Sequence, residues 1–118
     1  MNAATEALRR ELEDAATHLG LAHELRFHPM FGGQMAYLSE RPCAWLSAGG
    51  IALKVKPSDR DELLTLDGAM PFLPRPGAAP SRQYVVLPRW LTRDTPAFAA
   101  WLARGAAAQK KPARQRRL

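Results

Sequence analysis

From Ala3 to Leu19 the leucines fall at 8, 12 and 19, and Ala15 and Ala16 complete the stripe. Arg9, Arg10, Glu13 and Asp14 take the other side. Apolar positions recurring at three and four predict an amphipathic helix. Gly20, followed by Leu21, is placed to end it, because glycine enters the left-handed region without a Cβ clash. The period then drops to two. "ELRFHPMF" alternates imperfectly, with Pro29 marking an edge position or a strand end. "GQMAYLS" alternates better and is interrupted at "RPC". In "CAWLSAGGIALKV" two apolar runs flank Gly49-Gly50, the pattern of a two-residue hairpin with a primed turn. That turn sets Ala48 opposite Ile51, Leu46 opposite Leu53 and Ala44 opposite Val55 on a core face. Ser47 opposite Ala52, Trp45 opposite Lys54 and Cys43 opposite Lys56 fall on the other. There a Trp45–Lys54 cation–π contact would contribute about 0.5–1 kcal/mol.

"KPSDRDELLTL" begins a second helix, with Ser58 as N-cap and Asp59, Asp61 and Glu62 beside the positive helix end. Leu63 and Leu66 point inward, and Gly68 closes the segment. "MPFLPRPGAAPSR" joins a short apolar piece to a loop rich in proline and glycine. "QYVVLP" is a strand of β-formers closed by Pro88. The last helix opens at "DTPAFAAWLARGAAA", capped by Asp94 or Thr95, with Pro96 in its first turn and Phe98, Trp101 and Leu102 as its core stripe. The order is helix, three strands, helix, two short strands, helix. It predicts a two-layer α+β domain over residues 1–108, an antiparallel five-stranded sheet with helices on one face. "QKKPARQRRL" has no apolar period, so residues 109–118 read as a disordered basic tail.

Composition narrows the class. A chain of 118 residues, 47% hydrophobic, fits one globular domain. No run approaches the ~18 apolar residues of a membrane span, and the first residues hold acids rather than the apolar stretch of a signal peptide. Cys43 is the single cysteine, so no internal disulfide or CxxC motif exists, and the cytoplasm is the expected compartment. The formal net charge is +6, and it is unevenly placed. Of 17 basic residues, six lie in 104–118, where there is no acid. Residues 1–103 therefore balance eleven against eleven, and the sequence pI of about 10.2 belongs to the tail.

"MFGG" at Met30–Gly33, "IALKV" at Ile51–Val55, "MPF" at Met70–Phe72 and "YVVLP" at Tyr84–Pro88 occur in an order and spacing that resemble the N-terminal domain of the TfoX/Sxy family. With the terminal helix bearing Trp101, the resemblance runs from about residue 5 to 105. It implies an α-β-β-β-α-β-β-α fold similar to secretion chaperones. Two-domain members of that family regulate natural competence in bacteria together with a cyclic-AMP receptor protein. This chain resembles a stand-alone member, because a basic tail stands where the second, helix-hairpin-helix-like domain should follow. The family supplies no catalytic residues, so the resemblance implies a regulatory, non-catalytic role.

Candidate chemistry is sparse. Gly32-Gly33 leads into a strand pattern, not the helix N-terminus that a phosphate cradle needs, so the pair reads as a turn or bulge with Met30 and Phe31 in the core around it. His18, His23 and His28 are spaced by five, which matches no helical face and no metal-ligand pattern. Nothing in the sequence activates Cys43 as a nucleophile, and Ser47 and Ser81 lack a nucleophile-elbow context. Asp59, Asp61 and Glu62 read as first-turn dipole residues rather than an acid/base or magnesium site. The expectation is an interaction domain without metal or cofactor. Its contact surface is the uncovered sheet face around Trp45, Lys54, Tyr37, Cys43 and Lys56, with Met35 beside them. The partner is another protein or a second copy, with no membrane involved. The alternative is a nucleic-acid-associated protein acting through Lys110, Lys111, Arg114, Arg116 and Arg117. Six tail charges would give a log–log salt slope of up to about −5, and the absence of tail aromatics argues against base stacking.

Overall fold

The computed structural model describes the backbone of residues 3–75 and 77–114. Helix α1 (Ala3–His18) is followed by a 3-10 turn (Ala22–Glu24) and four strands, β1 (Leu25–Met30), β2 (Gly33–Leu38), β3 (Arg41–Ser47) and β4 (Gly50–Lys54). Helix α2 (Pro57–Leu64), β5 (Met70–Pro71), β6 (Tyr84–Leu87), α3 (Arg89–Thr92) and α4 (Thr95–Arg114) complete the order. The strands form one antiparallel sheet in the order β1-β2-β3-β4-β6-β5. The class is α+β, with helices packed on one face. The sheet has six strands rather than five, because four precede α2. The turn between β2 and β3 is Ser39-Glu40, with both residues at positive φ (52° and 69°). It lacks the glycine or asparagine that usually marks such a turn.

Several local expectations hold. Gly20 sits at φ 73°, and a Schellman pair closes α1: Leu21 N–H donates to the Ala16 carbonyl (2.8 Å) and Gly20 N–H to the Thr17 carbonyl (2.9 Å). Asp94 caps α4, its Oδ1 accepting from Ala97 N–H at 3.2 Å. Helix α2 starts differently. Its N-cap is Lys56 and Pro57 takes the first helical position, where a proline loses no hydrogen bond and has its φ preset; Ser58 lies inside the helix. Helix α4 runs on to Arg114, so helical backbone occupies the start of the segment expected to be a disordered tail. Arg116 and Arg117 lie outside the described residues.

The core lies between the sheet and helices α1 and α4. Leu8, Leu12, Ala15 and Ala16 of α1 and Phe98, Ala99 and Leu102 of α4 are buried with Ala36, Ala44, Leu46, Ile51, Leu53, Val85 and Leu87. Trp101 is half-buried beneath the Arg104 guanidinium, 4.2 Å from its ring centroid. Gly105 has a packing reason inside a helix: a Cβ there would lie 2.6 Å from the Lys54 carbonyl oxygen. No helix among the described residues is long and apolar enough to cross a membrane.

Gly32 lies in a turn at positive φ as expected, but both turns start one residue earlier than the glycine pairs suggest. The first turn is Phe31-Gly32, at φ 50° and 79°, and Gly33 is already the first residue of β2. A side chain at Gly33 would collide with the Leu46 carbonyl and the Trp45 ring, whose Cζ2 lies 2.8 Å from the Cβ position. Phe31 is therefore not in the core; it is 94% exposed. The second turn is Ala48-Gly49, with Gly50 opening β4 at φ 123°. Neither Ala48 nor Gly49 has a positive φ, so the loop is not of the primed kind, and a glycine at positive φ follows the turn instead. The pairing moves accordingly: Leu46 faces Ile51, Ala44 faces Leu53 and Trp45 faces Ala52. Each partner shifts by two residues, so every side chain keeps the face that the alternation assigned to it.

Candidate functional site

The helix-free face is organised by register into two rows. Each residue of the first, His28, Met35, Trp45, Ala52, Val86 and Met70, is the cross-strand partner of the next. In the second row Arg26 faces Tyr37 on β1 and β2, and Lys54 faces Tyr84 on β4 and β6. A register shift at Ala36/Tyr37 sets Tyr37 opposite Pro42 and leaves Cys43 as the extra residue of a bulge. Trp45, Tyr37 and Lys54 thus share this face, whereas Cys43, unpaired at the bulge, belongs to the buried core cluster. Lys56 does not belong to it, because β4 ends at Lys54 and Lys56 caps α2. The expected Trp45–Lys54 pair is replaced by Trp45–Ala52, and the cation–π contacts are Arg9 over Phe27 (4.4 Å) and Arg104 over Trp101.

At the turn end of this face, Trp45, Ala52, Val86, Met70, Phe72 and Leu73 line an open apolar groove of about 290 Å³. Met70 is 59% and Leu73 49% exposed. The Phe72 ring leans on Tyr84, centroids 5.9 Å apart. Phe31 stands at the same end of the sheet, on the β1–β2 turn. Met70 and Leu73 escape a sequence reading because β5 has two residues, too few to show alternation. The "MPF" triplet was the only available signal.

Two titratable groups are shifted by burial, one fully buried and one half-buried. Cys43 is 3% exposed, and burial pushes its thiol from 9.0 up to about 12. It stays protonated at neutral pH and is a poor nucleophile. Burial also raises the Tyr84 pKa, with smaller pushes from Cys43 and Tyr37.

The other candidates are scattered. His18, His23 and His28 are exposed on α1, the 3-10 turn and β1. No group of three or more His, Cys, Asp or Glu among the described residues could hold a metal ion. The acidic cluster of α2 divides. Asp59, only 1% exposed, accepts from Arg104 Nη2 at 2.6 Å, and Glu62 accepts from the same nitrogen at 3.3 Å. Asp61 lies 3.8 Å from Arg60. Asp59 and Glu62 therefore tie α2 to α4, and Asp59 Oδ2 is buried with no hydrogen-bond partner among the described residues. Ser81 Oγ accepts from Gln83 N–H (3.1 Å) and Tyr84 N–H (3.2 Å), shaping the entry to β6. Ser47 Oγ accepts from Gly49 N–H in the hairpin turn.

The opposite end of the sheet is basic. Lys54, Lys56 and Arg82 line a second groove with Gln83, Gly105 and Ala108. Lys110, Lys111 and Arg114 follow on the same helix, α4. Comparisons of the chain with protein-family models, curated proteins and solved structures return no match.

Proposed function

We propose that the chain works as a non-catalytic protein-interaction domain whose contact surface is the apolar end of the helix-free sheet face. Phe31 carries the reading. A bulky side chain in the left-handed region costs about 1–2 kcal/mol, and at 94% exposure it gains almost nothing from burial within its own chain. Strain of this kind, kept at a projecting aromatic, fits a residue used against another molecule. Trp45, Met70 and Leu73 extend the patch, and aromatic residues and methionine are the types enriched at interface centres. The motif resemblance to TfoX/Sxy N-terminal domains supports a regulatory setting.

A second copy of the chain is the first partner to test. Light scattering across a concentration series should show mass rising for the wild type and staying monomeric for Trp45→Ala. A photo-crosslinking residue at Met70, with one at exposed Arg10 of α1 as control, addresses other partners in the chain's native host cells. Adducts formed at Met70 and not at Arg10 support the surface. A constant monomer mass together with no adducts, or equal yields at both positions, removes it.

A further inference from the structure

We infer that the partner of the helix-free face is an acidic amphipathic helix, lying across the strands. Its apolar stripe covers the row that runs from Met35 through Trp45 to Met70, and a flank of carboxylates covers the row beside it. The inference rests on the reading of that face as a contact surface and names the chemistry of what covers it. Its ground is a charge asymmetry built into the sheet. None of the six strands contains an aspartate or a glutamate. The face nevertheless carries cations, because Arg26 of β1 faces Tyr37 and Lys54 of β4 faces Tyr84. Arg26 is exposed, and Lys54 and both tyrosines are half-exposed. Neither cation enters an ion pair among the described residues. Two cations and two phenolic hydroxyls thus form a row of hydrogen-bond donors. It lies two residues along the strands, about 7 Å, from the apolar row.

The sheet edges argue against the other common mode, addition of an extended strand. Edge strand β1 carries Pro29 and edge strand β5 ends in Pro71, and proline has no N–H to offer an added strand. A helix satisfies its own backbone and needs only a surface for one of its faces. Six strands about 4.8 Å apart make the apolar row about 24 Å long, the length of about 16 helical residues. Arg26 and Lys54 stand three strand spacings apart, about 14 Å. Carboxylates about three turns apart on one helix flank match that separation within the reach of two long side chains. A second copy of the chain can cover the apolar end, but its own face brings two more cations and no strand carboxylate. Like charges set against each other lower affinity, whereas opposite ones fix register. An acidic helix therefore completes both rows, and a second copy only one.

The test is fluorescence anisotropy of the full chain with a labelled, designed helical peptide of about 16 residues, bearing a leucine stripe and glutamates along one flank. A second peptide has glutamine in place of every glutamate. Both are titrated with wild type, with the combined Arg26→Gln, Lys54→Gln variant, and with two apolar-row variants, Trp45→Ala and Met70→Ser. Thermal unfolding first establishes which variants are folded. At low salt the glutamate peptide should bind wild type about tenfold more tightly than the glutamine peptide, the yield of two exposed ion pairs. That advantage should shrink as salt rises and vanish in the Arg26→Gln, Lys54→Gln variant, while the apolar-row variants weaken both peptides. Equal binding of the two peptides to wild type, lost in the apolar-row variants, overturns the acidic partner and leaves the contact surface standing. Undiminished binding of both peptides to the apolar-row variants overturns the inference and the surface together. The inference alone is overturned if neither peptide binds, if the glutamate peptide fails to displace self-association, or if phosphatidylserine vesicles bind in its place.

Discussion

The two faces of the sheet are made by alternate residues of the same strands, yet their side chains are held in different ways. On the covered face Ala44, Leu46, Ile51, Leu53, Val85 and Leu87 meet α1 and α4, and all are buried. On the bare face Ala52 is buried, while Trp45, Tyr37, Lys54 and Tyr84 stay half-exposed. The first face is sealed by other elements and the second by its own neighbours. A self-sealed face can exchange solvent for another molecule without unpacking the core, and for that reason the contact surface is placed there.

The contrast is broken most directly by truncation on each side. Leu53→Ala should cost about 2–5 kcal/mol in urea unfolding, and Trp45→Ala no more than about 1.5 kcal/mol. Equal losses would mean that Trp45 is a core residue in energetic terms. The next largest effect is at Cys43. Because its folded pKa is raised, the contribution of the protonated thiol is complete below pH 9 and is lost as pH rises towards 12. Across that window wild-type stability should fall faster than that of Cys43→Ala, by up to about 1.4 kcal/mol per pH unit. A thiol reagent should also label Cys43 only after unfolding; rapid labelling of the native protein would show the core beside the bulge to be open. The smallest effect has the opposite sign. Phe31→Gly should raise stability by up to about 1 kcal/mol in the same unfolding assay, by relieving the left-handed strain. A destabilised variant would show that Phe31 packs against its own chain.

The Cys43 and Trp45 positions also show how legible the site was. Alternation in "CAWLS" put both residues on one face with Tyr37 and Lys54; Trp45 is found there, while the bulge leaves Cys43 unpaired and buried in the core cluster. Alternation says nothing about which strand lies alongside, so Trp45 was paired with Lys54 when its neighbours are Met35 and Ala52. Phe31 was unreadable for a related reason. A run of two glycines offers several turn registers, and a phenylalanine at positive φ is a choice that local preference disfavours. Lys56 was assigned to the sheet because a longer β4 was assumed, whereas Pro57 begins α2 directly after it.

Local order along the chain was enough for the apolar helix stripes, the glycine that ends α1, the Asp94 cap, the lone thiol and the face on which each paired strand residue falls. All of these depend on neighbours within about one turn or two residues, and a shift of two leaves a face unchanged. Cross-strand partners, the row from His28 to Met70, the sixth strand and the cationic groove joined to α4 required the folded chain. Each brings together segments far apart in sequence, and the energy that selects among such pairings comes from packing between them.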